Sequence, residues 1–159
     1  MSTPLSRFAV DTHNRYFEDY VPGSVHETDE ILVDENEVVR FARTYDPQPF
    51  HTDAVAAATG PFGGLIASGF HTGAMVMRLL VDHFLSAVAG MGSPGLDEVR
   101  WPRPVRPGDR LRVQVRVLET RRSRSMPDRG LVIAGVEARN QHEDLVMSFK
   151  ATLFIRCRH

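Results

Sequence analysis

The period of hydrophobic and polar positions changes along the chain. Val38, Phe41, Ala42 and Tyr45 recur at helical spacing behind an acidic cluster. In that cluster Asp34 is a good N-cap, and Glu37 falls three residues on, as in a capping box. Residues 69–89 are apolar on nearly all sides: Arg78 and Asp82, an i,i+4 pair, are the only charges, with His71 and His83 adding polarity. Such a helix must be buried. Beyond it the period becomes two, as in Leu111, Val113, Val115 and Val117 alternating with Arg112, Gln114 and Arg116. Residues 131–140 (Val132, Ala134, Val136 and Ala138 on one face) and 145–156 continue the pattern, with a charged loop at 121–130 and a turn at 141–144. Residues 25–32 and 96–105 read as further strands, the second with Val99, Trp101 and Val105 on one parity. One apolar helix and one apolar sheet face must bury each other. The pattern therefore predicts an α+β fold, a long central helix wrapped by a curved antiparallel β-sheet.

The stretch between the two helices carries the candidate chemistry. Pro47 ends the first helix by pushing Asp46 out of the α region, and Pro49 does the same to Gln48. Residues 46–49 read as stiff and extended. His51 follows five residues after Asp46, and Thr52 or Asp53 caps a short helix over 54–59. A carboxylate and an imidazole held on a rigid turn suit proton transfer if the site is dry. Equally spaced Asp/His pairs also serve as caps or surface residues. Gly60, Pro61, Phe62, Gly63 and Gly64 then turn the chain tightly, Ser68 is the N-cap of the long helix, and Gly69 begins it. A free N–H at Gly69 could polarise a carbonyl as an oxyanion hole does. The alternative is that Gly64 and Gly69 only permit close packing.

DPQPFHTD followed by FGGLIASG resembles the signature of the MaoC-like dehydratases, the R-specific enoyl-CoA hydratase group of hotdog-fold proteins. Asp46, Pro49, His51 and Asp53 fit that signature, and Gly69 falls at its helix-starting glycine. The resemblance runs from about Phe17, in the opening FEDYVPG, to the end of the chain. Gln48 stands where Asn is usual, and His71 is not a usual feature. The resemblance implies a hotdog domain over 16–159; the residues before it, 1–15, read as a loose N-terminal arm, polar and without clear periodicity. It implies reversible hydration of a 2-enoyl-CoA, or dehydration of an (R)-3-hydroxyacyl-CoA. In that reaction Asp46 and His51 share the water and the Gly69 N–H stabilises the thioester oxygen, with Gln48, Phe50, Gly64 and Ser68 beside the substrate. No metal or redox cofactor is implied. Coenzyme A or an acyl-carrier protein delivers the acyl group, and the assembly is a homodimer joined edge to edge, with a dimer of dimers as an extension. Two readings stay open beside it: a hotdog acyl-CoA thioesterase, and a non-catalytic acyl-CoA-binding protein.

Composition adds bounds. The 159 residues suit one domain, and a 42% hydrophobic content is enough for a core. A net charge of −1 argues against nucleic-acid or membrane-surface partners. One cysteine, Cys157, excludes an internal disulfide framework, and no leader pattern is read at the start, so the expectation is a cytoplasmic protein. The seven histidines are scattered without metal-ligand spacing. Arg103, Arg106, Arg110, Arg121, Arg122 and Arg124 lie near turns, either as a landing site for coenzyme A phosphates or as ordinary surface charge. Trp101 reads as core or interface rather than as a stacking platform, and Met75 and Met77 as helix core or acyl-pocket lining.

Overall fold

The computed structural model of the protein describes residue 5 and residues 8–159, so positions 1–4, 6 and 7 of the expected N-terminal arm lie outside the described residues. Two short strands come first, β1 (Val25–Glu27) and β2 (Ile31–Leu32). Helices α1 (Glu35–Tyr45), α2 (Pro49–Thr52), α3 (Ala54–Ala58) and α4 (Gly69–His83) follow. Strands β3 (Gly95–Arg100), β4 (Arg110–Arg122), β5 (Arg129–Arg139) and β6 (Leu145–Arg156) complete the chain. The strands form one antiparallel sheet in the order β1-β4-β5-β6-β3, with β2 also paired to β4.

The alternation in β4 has the predicted consequence. Leu111, Val113, Val115 and Val117 are fully buried and share one core with Met75, Val76, Leu79 and Leu80 of α4. Each such side chain contributes roughly 1.5–3 kcal/mol relative to exposure. This is the hotdog arrangement. Asp34 caps α1 as expected, its Oδ1 accepting from the Glu37 N–H at 3.0 Å. Phe41 of α1 stacks on His71 of α4 with ring centroids 4.9 Å apart. No helix of the described residues is long and apolar enough to cross a membrane.

Four expectations need correction. First, α4 stops at His83, not at residue 89. The Arg15 guanidinium donates to the carbonyls of His83 and Phe84 at 2.9 Å each, and the Tyr20 hydroxyl donates to Phe84 O at 2.8 Å. The Ala87 N–H, which another turn of helix would send to His83, donates instead to Thr12 O at 2.8 Å. Second, the described part of the arm is docked. Phe8 stacks on His26 at 4.0 Å, meets Tyr20 and Phe84 edge-on, and lies under the Arg15 guanidinium at 3.4 Å. Third, β4 runs on to Arg122 past an irregularity at Leu118, since Val117 pairs with Ala134 and Glu119 with Ile133. Residues 119–122 are charged or polar on both faces, so no alternation announced them. Fourth, β3 ends at Arg100, and Trp101 is half-exposed, outside the core.

The sheet covers only one side of α4 within a single chain. His71, Thr72, Met75, Val76, Leu79 and Leu80 are buried, while Phe70, Ala74, Met77 and Val81 face outward.

Candidate active site

Two prolines and a short turn set the site. Asp46 is the C-cap of α1: its N–H bonds Ala42 O at 2.8 Å, and its backbone (φ −149°, ψ 66°) has left the α region, as a following proline requires. Gln48 is extended (φ −92°, ψ 143°). The run does not stay extended through Pro49, which opens α2 at its first position, where a missing N–H costs nothing. That single turn swings His51 back towards Asp46 and buries it. Asp53, rather than Thr52, caps α3, accepting from Val55 and Ala56 N–H at 3.0 and 3.1 Å.

His51 Nε2 lies 3.3 Å from Asp46 Oδ2, and His51 Nδ1 lies 2.7 Å from Ile66 O. A carbonyl only accepts, so Nδ1 carries the hydrogen, and in the neutral ring Nε2 presents a lone pair towards the carboxylate. Two acceptors at that separation can both receive hydrogen bonds from one water molecule.

The Asp46 carboxyl is held below the usual carboxylate range. The main cause is Gln48, whose Nε2 donates to Oδ1 at 2.6 Å; Ser68 contributes next, and His51 less. Ser68 is fully buried, occupies the N-cap position of α4 without capping it, and has its hydroxyl turned towards Asp46 short of a fully formed hydrogen bond. Gln48→Ala removes the donor that favours the ionised form. The Asp46 pKa then rises towards its ordinary value, and the acid limb of the pH–rate profile moves to higher pH. An unmoved acid limb would show that ionised Asp46 does not limit the reaction.

A cleft of about 440 Å³ opens beside this pair. Its wall includes Asp46, His51 and Gly69, four aromatic side chains (Phe50, Phe62, Phe70 and Trp101), and Arg103. The first intrahelical bond of α4 is from Thr72 N–H to Ser68 O, so the N–H of Gly69 precedes the ladder and has no helical partner. The packing role of Gly69 holds as well: a Cβ there would lie 2.9 Å from Trp101 Cε2.

The structure thus gathers Asp46, His51, Gly69 and Phe50 at one cleft, and sorts the other expected substrate contacts differently. Gln48 donates to the carboxylate and Ser68 is buried beside it, and neither lines the cleft. Gly64 lies against the Arg106 guanidinium, which donates to Phe62 O at 2.5 Å and so pins the glycine-rich loop. The arginines separate too. Arg103 is on the cleft wall, but Arg121 and Arg122 end a 13-residue strand that starts at Arg110. At 3.3 Å per residue that puts them about 40 Å from its start. Met75 is core and Met77 is exposed, and neither lines the cleft. Phe62 and Trp101 were not singled out for this cleft from the sequence, and Arg103 only as one of six candidate phosphate contacts, since only the return of the chain after β3 brings residues 101–103 to the start of α4. Among the described residues, no group of three or more His, Cys, Asp and Glu side chains could hold a metal ion.

Residues 18–140 match the family model described as MaoC like domain. The crystal structure of the MaoC-like dehydratase from Rhodospirillum rubrum is similar with a TM-score of 0.84 and 37% identity, over 92% of this chain and 99% of that one. The unliganded R-hydratase PhaJ1 from Pseudomonas aeruginosa is similar with a TM-score of 0.74 and 26% identity, over 90% of this chain and 86% of that one. Among curated proteins, 3-hydroxyacyl-thioester dehydratase Z of Mycobacterium tuberculosis is 41% identical over 92 residues, which are 55% of this chain and 60% of that protein.

Proposed function

The chain belongs to the MaoC-like domain family, and on that premise we propose that it is an acyl-thioester hydro-lyase, adding water reversibly to a 2-enoyl thioester to give an (R)-3-hydroxyacyl thioester. The observation that carries this reading is the cleft-wall pair of His51 Nε2 and Asp46 Oδ2 at 3.3 Å. The names of its relatives, an R-hydratase and a 3-hydroxyacyl-thioester dehydratase, support the same reaction class.

In the hydration direction, a water held between Nε2 and Oδ2 attacks the β-carbon. One member of the pair takes its proton, and the pair returns a proton to the α-carbon, so the site ends as it began. The electron pair of the double bond moves towards the thioester carbonyl, and the Gly69 N–H at the start of α4 stabilises the oxygen as it gains charge. The hydrogen bond from His51 Nδ1 to Ile66 O leaves Nε2 as the ring nitrogen that faces the water, able to take a proton and to give it back. Gln48 keeps Asp46 ionised. The chain's own residues account for each proton and charge, so the proposal includes no metal or redox cofactor; coenzyme A or an acyl-carrier protein is the carrier of the substrate. The test is loss of the enoyl-thioester absorbance with crotonyl-CoA and longer 2-enoyl-CoAs. A folded protein that removes the band with none of them would overturn the assignment.

The proposed assembly is a homodimer. Phe70, Ala74, Met77 and Val81 make an exposed apolar stripe at i, i+4, i+7 and i+11 on α4, and β3 is an open sheet edge. A charge in the stripe should separate the subunits. Met77→Glu is expected to elute from size exclusion at half the mass of the wild type, and coelution of the two would remove the stripe from the interface.

A further inference from the structure

Trp101 is the only tryptophan in the chain, and it sits where β3 hands over to the turn leading to β4. Three observations converge on it. Its Nε1 donates to the carbonyl of Gly69 at 3.1 Å. Its ring lies so close over Gly69 that a Cβ would fall 2.9 Å from Cε2, 3.1 Å from Nε1 and 3.2 Å from Cδ2. The same ring forms part of the cleft wall with Asp46 and His51. Pro102 and Pro104 follow on the same wall and restrict the backbone that carries the indole. Glycine at the helix start is thereby matched to tryptophan across the cleft: the missing side chain makes room for the ring, and the ring's N–H grips the residue's carbonyl.

We infer that Trp101 is a positioning residue of this site, its indole holding the first residue of α4 in place and offering the planar enoyl thioester a flat wall to lie against. The inference rests on the hydratase reading for the identity of the ligand. A conjugated thioester is flat, and flat π-systems stack well on an indole face. The residue gripped is the one whose N–H faces the developing charge, and a misplacement of about 1 Å in such a donor can cost on the order of 100-fold in rate.

A binding experiment and a kinetic one test it together. In the first, the emission of Trp101 is followed while butyryl-CoA, which has no double bond to hydrate, is titrated, with calorimetry in parallel. The expected result is a saturable change with the calorimetric midpoint. Calorimetric binding with unmoved emission would overturn the contact, and no binding of butyryl-CoA or of a longer acyl-CoA would overturn the contact and the hydratase reading together. In the second experiment, kcat and KM for crotonyl-CoA are measured for Trp101→Phe and Trp101→Leu, with folding checked by circular dichroism. The leucine variant is expected to lose about 10-fold or more in kcat, and the phenylalanine variant, which keeps a flat ring without the N–H, to fall between it and the wild type. Unchanged kcat in the phenylalanine and leucine variants would overturn the positioning role. Wild-type protein that binds with a saturable emission change but hydrates no enoyl-CoA would overturn the hydratase reading and leave Trp101 as a wall of the binding cleft.

Discussion

His51→Ala is expected to lower the rate of enoyl-thioester hydration by at least about 100-fold, because a positioned proton-transfer group contributes on the order of 100- to 10,000-fold. His51 is buried with one nitrogen committed to Ile66 O and the other facing Asp46, so no neighbouring side chain can assume its geometry. Asp46→Asn is the paired experiment. It keeps the shape of the side chain and removes the charge, and the loss should be of the same order if the two residues act as one unit. The double variant should then be little worse than either single one. Crotonyl-CoA absorbance with enzyme in excess gives the rates. A His51→Ala protein with near-wild-type turnover would sink the proposed chemistry.

The second large effect is on stability and lies away from the site. Arg15→Ala is expected to cost roughly 3 kcal/mol, because the carbonyls of Val10 and His83 lose the Arg15 donor and that of Phe84 is left with Tyr20 alone. Arg15 is itself buried, and its guanidinium covers the Phe8 ring, so packing is lost with the hydrogen bonds. For a chain of this length the melting temperature should fall by about 10 °C. The fifteen residues of α4 separate this clamp from the cleft by about 22 Å. The folded fraction should therefore keep its kcat, and a variant that melts normally would show that the end of α4 needs no clamp.

The candidate site was legible in part, and the division is physical. Asp46, His51 and Gly69 could be read because their placement depends on neighbours in sequence: Pro47 stops α1 at Asp46, and the chain returns through a single turn to His51. The resemblance named the same residues from the motif they form. Gln48 and Ser68 were read as substrate contacts; the structure shows the Gln48 amide donating to the Asp46 carboxylate and Ser68 buried beside it, both off the cleft wall. Nothing local distinguishes an amide beside a ligand from an amide donating back two residues.

Local sequence determined what depends on short range. The period of two in β4 chose the buried face of the sheet, Asp34 opened α1, and a run of apolar residues committed α4 to the core. Only the tertiary structure decided where α4 ends, since the carbonyls of its last turn are claimed by Arg15 and Tyr20, more than sixty residues earlier in the chain. It likewise decided that Trp101 lies against Gly69 and walls the cleft. Hydrophobic periodicity reports which side of an element is buried, because that is a property of neighbouring residues. It carries no record of which distant donor satisfies a given carbonyl, since any polar side chain brought within 3 Å would do, and the packing of the whole chain selects the one that arrives.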